Sequence, residues 1–221
     1  MFIGHFGLGF GAKPAAPAAS LGTLFIASQF ADLLWPALVL LGLELVDVQP
    51  GATTMTPLNF VSYPYSHSLL TLCAWGVAFG ALYFAIRRSR IAAAVTVALL
   101  VVSHWVLDYV THRPDMPLTV NGPERLGLGL WNSIPGTLAV ELAIFAIGLA
   151  LYLRTTTPRD RIGSVGLWSL VGFLLIVYVA NVVGPPPPSA AAVAWSAQAM
   201  WLLVIWGYWV DKHRIPHRNR G

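Results

Sequence analysis

Ser103-His104-Trp105-Val106-Leu107-Asp108-Tyr109-Val110-Thr111-His112-Arg113-Pro114-Asp115 closes a long apolar run, and its reading decides how the rest of the chain is arranged. Residues 91–102 (IAAAVTVALLVV) carry no polar side chain except Thr96. The segment therefore reads as a helix that stays in a bilayer to about residue 111. Such a helix sets His104 and Asp108 four residues apart on one face. Burying an isolated imidazole or carboxylate in hydrocarbon costs several kcal/mol, so the pair must face a protein-lined cavity. It is either a site or a hydrogen-bonded lock between two helices. The other polar residues of the chain bear on that choice.

Composition supports the membrane reading. Of 221 residues, 57% are hydrophobic and only 10% charged, far from the charged quarter of an ordinary soluble domain. Mean hydropathy is +0.68. None of the apolar runs shows the alternation of an outer-membrane strand, so the expected class is an all-α polytopic membrane protein. The Gly-rich residues 2–12 lack a basic leader, which argues against a cleaved signal peptide. A lone cysteine, Cys73, excludes an internal disulfide and a Cys-based metal cluster. The net charge of +4 sits in short connecting loops; that distribution signals topology and not nucleic-acid binding.

About six spans are expected, in one integral domain over 1–221. Residues 1–12, with His5, are too short to cross and read as a half-helix or surface helix, followed by a Pro/Ala linker whose Ser20 can cap the next helix. The first span, about 20–46, carries Asp32 and should bend at Pro36. A turn-rich loop over 47–65 leads to a second span at about 66–86, opening Ser66-His67-Ser68. The third is about 91–111. After a loop over 112–133 comes a fourth at about 134–153 with Glu141, then a fifth to about 183, the tetraproline 185–188, and a sixth over 189–210. The additional helices thus occupy 134–210.

Basic clusters follow the second, fourth and sixth spans (Arg87-Arg88-Ser89-Arg90; Arg154 to Arg161; Lys212 to Arg218). The positive-inside rule places all three in the cytoplasm and predicts an inner (plasma) membrane protein with both termini inside. His67, His104, Asp108 and Glu141 then fall in the outer half of the bilayer, with Asp32 deeper. Four helices each bring a costly ionisable group to one region, and a shared divalent cation is the natural partner for several imidazoles and carboxylates.

His104 and Asp108 form the leading pair of candidate ligands, because i, i+4 spacing suits helical metal binding. His67 reads as a ligand or a capping histidine, and Asp32 as a ligand or a buried acceptor that also suits proton transfer. Glu141 suits a general base or a ligand, or a structural partner for Arg125 or Arg113. Arg113 can grip a phosphate and, with Ser66, is a candidate substrate contact. His112 and Asp115 read as solvated loop residues, and His213 and His217 as facing anionic headgroups. The nine Trp and seven Tyr fit an interfacial belt.

Gly4-His5, Ala31-Asp32, Tyr63-Pro64-Tyr65-Ser66-His67-Ser68-Leu69-Leu70 and Ser103-His104-Trp105-Val106-Leu107-Asp108-Tyr109-Val110-Thr111 occur in the order and approximate spacing of a known pattern. Together they resemble the bacterial membrane-bound metal-dependent hydrolases, a family similar in motif to the zinc-dependent phospholipases C. The resemblance covers roughly residues 1–115. It implies a divalent metal ion, zinc by preference, with His5, Asp32, His67, His104 and Asp108 as ligands. The family's Asp-x-Asp-His is reduced here to Asp32-Leu33-Leu34-Trp35, and its Arg-Gly before the histidine is Pro64-Tyr65, which favours fewer ions. A cytoplasmic N-terminus conflicts with His5 as a ligand, so either residues 2–12 are re-entrant or His5 stands apart. The favoured function is hydrolysis of a phosphoester in a lipid or lipid-linked substrate, with Glu141 or Asp32 as base. A zinc-dependent lipid amidase of the alkaline-ceramidase kind and a non-catalytic ion-binding or transport protein are the alternatives.

Overall fold

A computed structural model of the chain describes residues 1–88 and 91–217. Ser89 and Arg90 of the first basic cluster, and Arg218 of the tail, lie outside the described residues. The helices are α1 (Ile3–Gly11), α2 (Leu21–Ser28), α3 (Phe30–Leu40), α4 (Pro64–His67), α5 (Leu69–Arg87), α6 (Ile91–Thr111), α7 (Ile134–Thr155), α8 (Arg161–Val183), α9 (Ala190–Ala197) and α10 (Met200–Lys212). Three antiparallel two-stranded pieces complete it: β1 (Leu45–Val48) with β2 (Leu58–Ser62), β3 (Met116–Pro117) with β4 (Arg125–Leu126), and β5 (Thr156–Pro158) with β6 (Arg214–Pro216).

Five segments are long and apolar enough to cross a membrane, with α9 and α10 together forming the last, and the bent pair α2–α3 makes six. The chain is a multi-pass all-α protein. Five of the described helices, α2, α5, α7, α8 and α9, begin where side-chain oxygens accept otherwise unpaired first-turn N–H groups. Ser20 accepts from Thr23, Ser68 from Thr71, Ser133 from Gly136, Asp160 from Gly163 and Ser189 from Ala192. Helix α5 stops at Arg88, whose φ of 43° is left-handed, a common helix end that turns the chain back into α6.

Three expectations are corrected. The first span bends by 58° at Gln29, between α2 and α3, and not at Pro36, which sits inside α3. The break leaves the Ser28 carbonyl at a helix C-terminus, where it has no regular in-helix partner and instead accepts from His104. The span also ends at Leu40, and residues expected to loop from 47 form a β1–β2 hairpin. The third correction concerns α1, which is the expected half-helix but does not lie on the surface.

Helix α1 is buried inside the bundle against α7, α2 and α6. Phe6 and Phe10 are fully buried, with ring centroids 5.0 Å from Phe25, and Phe10 lies 5.3 Å from Tyr152. Edge-to-face aromatic packing of this kind adds about 0.5–1.5 kcal/mol per pair to area burial. The backbones of α1 and α7 touch at Gly7 and Gly148: a Cβ on Gly7 would stand 2.8 Å from the Ile144 carbonyl oxygen. Small residues permit this approach between membrane helices.

The segment that contains α1 therefore runs from Met1, whose amine contacts Asp108, to Lys13, whose Nζ lies 2.8 Å from Asp211 at the end of α10. Residue 1 lies at the Asp108 end of the bundle and residues 213–217 lie at the Asp211 end. The end around Asp211 also gathers Arg87 and Lys212 with the β5–β6 pair, so the described basic residues of the three clusters do share one end. Cysteines introduced at Thr54, in the hairpin, and Arg159, beside β5, should label with an impermeant maleimide from opposite sides of sealed vesicles. Labelling of both from one side would contradict this arrangement.

Candidate metal centre

The site forms at the end of the bundle away from the basic cluster. Asp108 is one turn from the end of α6 and 2% exposed. A buried carboxylate this deep must be compensated. Its Oδ1 accepts from the Met1 amine and from His5 Nε2 at 3.0 Å. Its Oδ2 faces the Nε2 atoms of His104 at 3.1 Å, His67 at 3.8 Å and His112 at 4.0 Å. Asp32 approaches from the first turn of α3, with Oδ1 3.5 Å from His67 Nε2 and 3.7 Å from His104 Nε2. His5 stacks on His104 with ring centroids 3.7 Å apart.

The far sides of His67, His104 and His112 are tied down, and the ties fix their tautomers. The Ser28 carbonyl can only accept, so His104 Nδ1 donates to it at 2.9 Å. Ser66 Oγ donates its one proton to Glu44 Oε2 at 2.6 Å and so accepts from His67 Nδ1 at 2.7 Å. His112 Nδ1 donates to Asp115 Oδ1 at 2.9 Å, and the Tyr63 hydroxyl donates to the same oxygen at 2.7 Å. Burial and the Asp115 carboxylate push the Tyr63 phenol well above its ordinary pKa, so it remains a donor.

In their neutral forms His67, His104 and His112 present bare Nε2 lone pairs to Asp108, and His67 and His104 present theirs to Asp32 as well. Acceptors facing acceptors at 3.1–4.0 Å need a cation or added protons between them. Among the described residues, His104 Nε2 and His5 Nδ1 are buried without a hydrogen-bond partner. Ligand atoms about 2.0–2.2 Å from one tetrahedral ion stand about 3.3–3.6 Å apart. The four separations joining His67 and His104 to Asp32 and Asp108 are 3.1, 3.5, 3.7 and 3.8 Å. Two His/Asp triads meet the spacing for a metal, His5–His104–Asp108 and Asp32–His67–His104. They share His104, which has only one free nitrogen, and this argues for one ion drawing on His104.

The sequence candidates are thus largely in one place. His5, Asp32, His67, His104 and Asp108 adjoin one another, His5 because α1 lies within the bundle. Ser66, expected to touch substrate, is fully buried between Glu44 and His67. Arg113 lies at the rim, donating to Asp115 at 3.3 Å and to Asn59. Glu141 pairs with neither Arg113 nor Arg125; its Oε2 accepts from the backbone N–H groups of Phe2 at 2.9 Å and Gly4 at 3.2 Å, anchoring the start of α1.

Sequence reading missed two residues. His112, taken as a solvated loop residue, is 2% exposed and packs 4.2 Å from Trp131 and 4.9 Å from Phe60; the repeat His104, Asp108, His112 at steps of four carried that signal. Glu44, which accepts from Ser66 Oγ and from the N–H groups of Tyr65 and Ser66, is also fully buried. It caps α4 from 22 residues away, and nothing local in the sequence marks it.

The chain matches no known family model, and neither a curated protein nor a solved structure is significantly similar to it. The four-cornered donor set suits a borderline ion such as zinc, and also manganese or iron(II). His104→Ala and Asp108→Ala should each abolish retention of stoichiometric metal by the purified protein. Ser66→Ala should retain the fold but weaken metal affinity about 10–100-fold, the usual effect of removing a group that orients a ligand. Full metal content in both the His104 and Asp108 variants, measured by plasma mass spectrometry, would make the cluster a purely structural network.

Proposed function

We propose that the protein is a membrane-embedded, metal-dependent hydrolase of a phosphoester in a lipid or lipid-linked substrate. The observation that carries this reading is the convergence of bare imidazole nitrogens and carboxylates on one point, with a single corner open. Asp32 is that corner: its side chain is 25% exposed, against 0–3% for His67, His104 and Asp108. His67, His104 and Asp108 would hold the ion. His5 orients Asp108 through Oδ1, and His112 flanks it. A divalent ion in this position supplies Lewis-acid polarisation of a phosphoryl oxygen and acidifies water.

The chain's own groups account for the remaining work. Asp32, at the open corner, takes the proton from the attacking water. The water oxygen forms a bond to phosphorus, the bond from phosphorus to the lipid alcohol oxygen breaks, and that oxygen receives a proton. Arg113 is placed to grip a phosphate at the rim with its planar donor fork. Glu141, with one oxygen spent on two backbone N–H groups, holds α1 and with it His5; the base role passes to Asp32. The motif resemblance agrees with this reading. Membrane burial favours a substrate that arrives laterally from the bilayer, and the positive-inside rule puts the site on the outer half of an inner membrane.

One observation favours a second reading. Four protein ligands closing a tetrahedron are typical of sites without an open catalytic position, which would suit an ion-binding or ion-carrying protein. Asp32→Asn separates the two. In a hydrolase with Asp32 as base, metal content and folding persist while turnover of a phospholipid falls by about two to four orders of magnitude. Loss of the metal in Asp32→Asn, with no phosphate ester or phosphorylated headgroup released by the wild type, would favour the closed site. Release of a free fatty acid and an amine would instead indicate an amidase.

A further inference from the structure

At the opposite end of the bundle lies a second feature with its own chemistry. A cleft of about 490 Å³ opens between α2, α5 and α10. One wall is apolar, formed by Ile26, Phe79, Leu82 and Ile86, with Leu82 and Ile86 at 55% and 69% exposure. Deeper in, Ser20, Thr23 and Tyr208 form a hydroxyl row, with Thr23 Oγ1 2.8 Å from Ser20 Oγ and 2.9 Å from the Tyr208 hydroxyl. At its mouth stand Arg87 and Lys212, each in the last turn of its helix. Among the described residues neither makes an ion pair.

The charge balance of the cleft is decided by Asp211, the one acidic residue lining it among the described residues. Its Oδ2 is taken by Lys13 at 2.8 Å and its Oδ1 accepts from Tyr152 at 2.9 Å. The Asp211 charge is thereby neutralised from within the bundle, and Arg87 and Lys212 are left as a cationic pair. Two cations at the end of their spans, above an apolar trough that faces acyl chains, match a lipid phosphate with its chain lying along the trough. A hydroxyl row below the cations offers further donors to the glycerol ester region.

We propose that this cleft binds one anionic phospholipid, its phosphate on Arg87 and Lys212 and an acyl chain against Ile26, Phe79 and Leu82. The lipid is distinct from any substrate of the His/Asp centre. Helix α6 spans about 30 Å between the two ends, and the cleft shares no residue with the cluster. Helix α2 links the two, lining the cleft with Thr23 and Ile26 and ending at Ser28, the His104 partner. The proposal does not depend on the hydrolase reading.

Native mass spectrometry of the full chain, titrated with phosphatidylglycerol or phosphatidylcholine of equal chain length, tests this. The wild type should retain one phosphatidylglycerol about tenfold more strongly than phosphatidylcholine, the order expected for two cations near a phosphate. Arg87→Gln with Lys212→Gln should erase that preference, while Arg154→Gln with Arg161→Gln, at the same end but outside the cleft, should leave it intact. Leu82→Trp, which fills the trough at an exposed position, should weaken retention of both lipids. Equal loss in the two double variants, preference surviving Arg87→Gln/Lys212→Gln, or full displacement by millimolar inorganic phosphate would each overturn the proposal. Unchanged metal content and helicity in every variant guards against misfolding as the cause.

Discussion

A single carboxylate, Asp108, sets the terms for this half of the molecule. It is nearly fully buried within an otherwise apolar helix, where an uncompensated charge would cost several kcal/mol. Everything around it answers that cost. His5 and the Met1 amine reach Oδ1, and three imidazoles surround Oδ2. Bringing those groups in requires α1 to lie inside the bundle, which in turn requires the glycine contact between α1 and α7 and the Glu141 anchor at the start of α1.

The same constraint explains the broken first span. A straight helix through residue 29 would keep the Ser28 carbonyl within its own ladder. The break at Gln29 turns that carbonyl to His104, fixes the imidazole with its proton on Nδ1, and swings Asp32 over the cluster. Local secondary structure is interrupted where the site needs a backbone acceptor, as is common for membrane helices that line polar sites. The β1–β2 hairpin and the 112–133 connection serve the same end. Phe60 and Trp131 pack against His112, and Glu44 and Asp115 fix the outward nitrogens of the ring system.

Much of the architecture was legible in the sequence because it follows from composition and length. Apolar runs of about 20 residues separated by basic loops leave few alternatives. The pairing of His104 with Asp108 was legible because helical period alone puts them on one face. His112 extends the same stripe but was obscured by the Pro114 that follows it, which reads as loop. The placement of α1 was not legible, since nine glycine-rich residues satisfy a surface helix and a buried wedge equally well. Pro36 misled for a related reason: proline marks a local weakness, whereas the bend falls where a distant side chain, His104, offers a hydrogen bond. The carboxylate Glu44 and its duty to Ser66 depend on a contact across 22 residues that no periodicity encodes.

The central claim is that the facing lone pairs of His67, His104 and Asp108 hold one ion, with Asp32 beside it at the open corner. X-ray absorption at the metal edge of the purified, metal-loaded protein tests it directly. The account predicts four or five nitrogen and oxygen neighbours at about 2.0–2.2 Å, no sulfur, and the outer scattering of two or more imidazole rings that disappears in part in His67→Ala. A spectrum with six oxygen neighbours and no imidazole scattering, or protein that takes up no divalent ion at all, would contradict it and leave the cluster as a protonated His/Asp network.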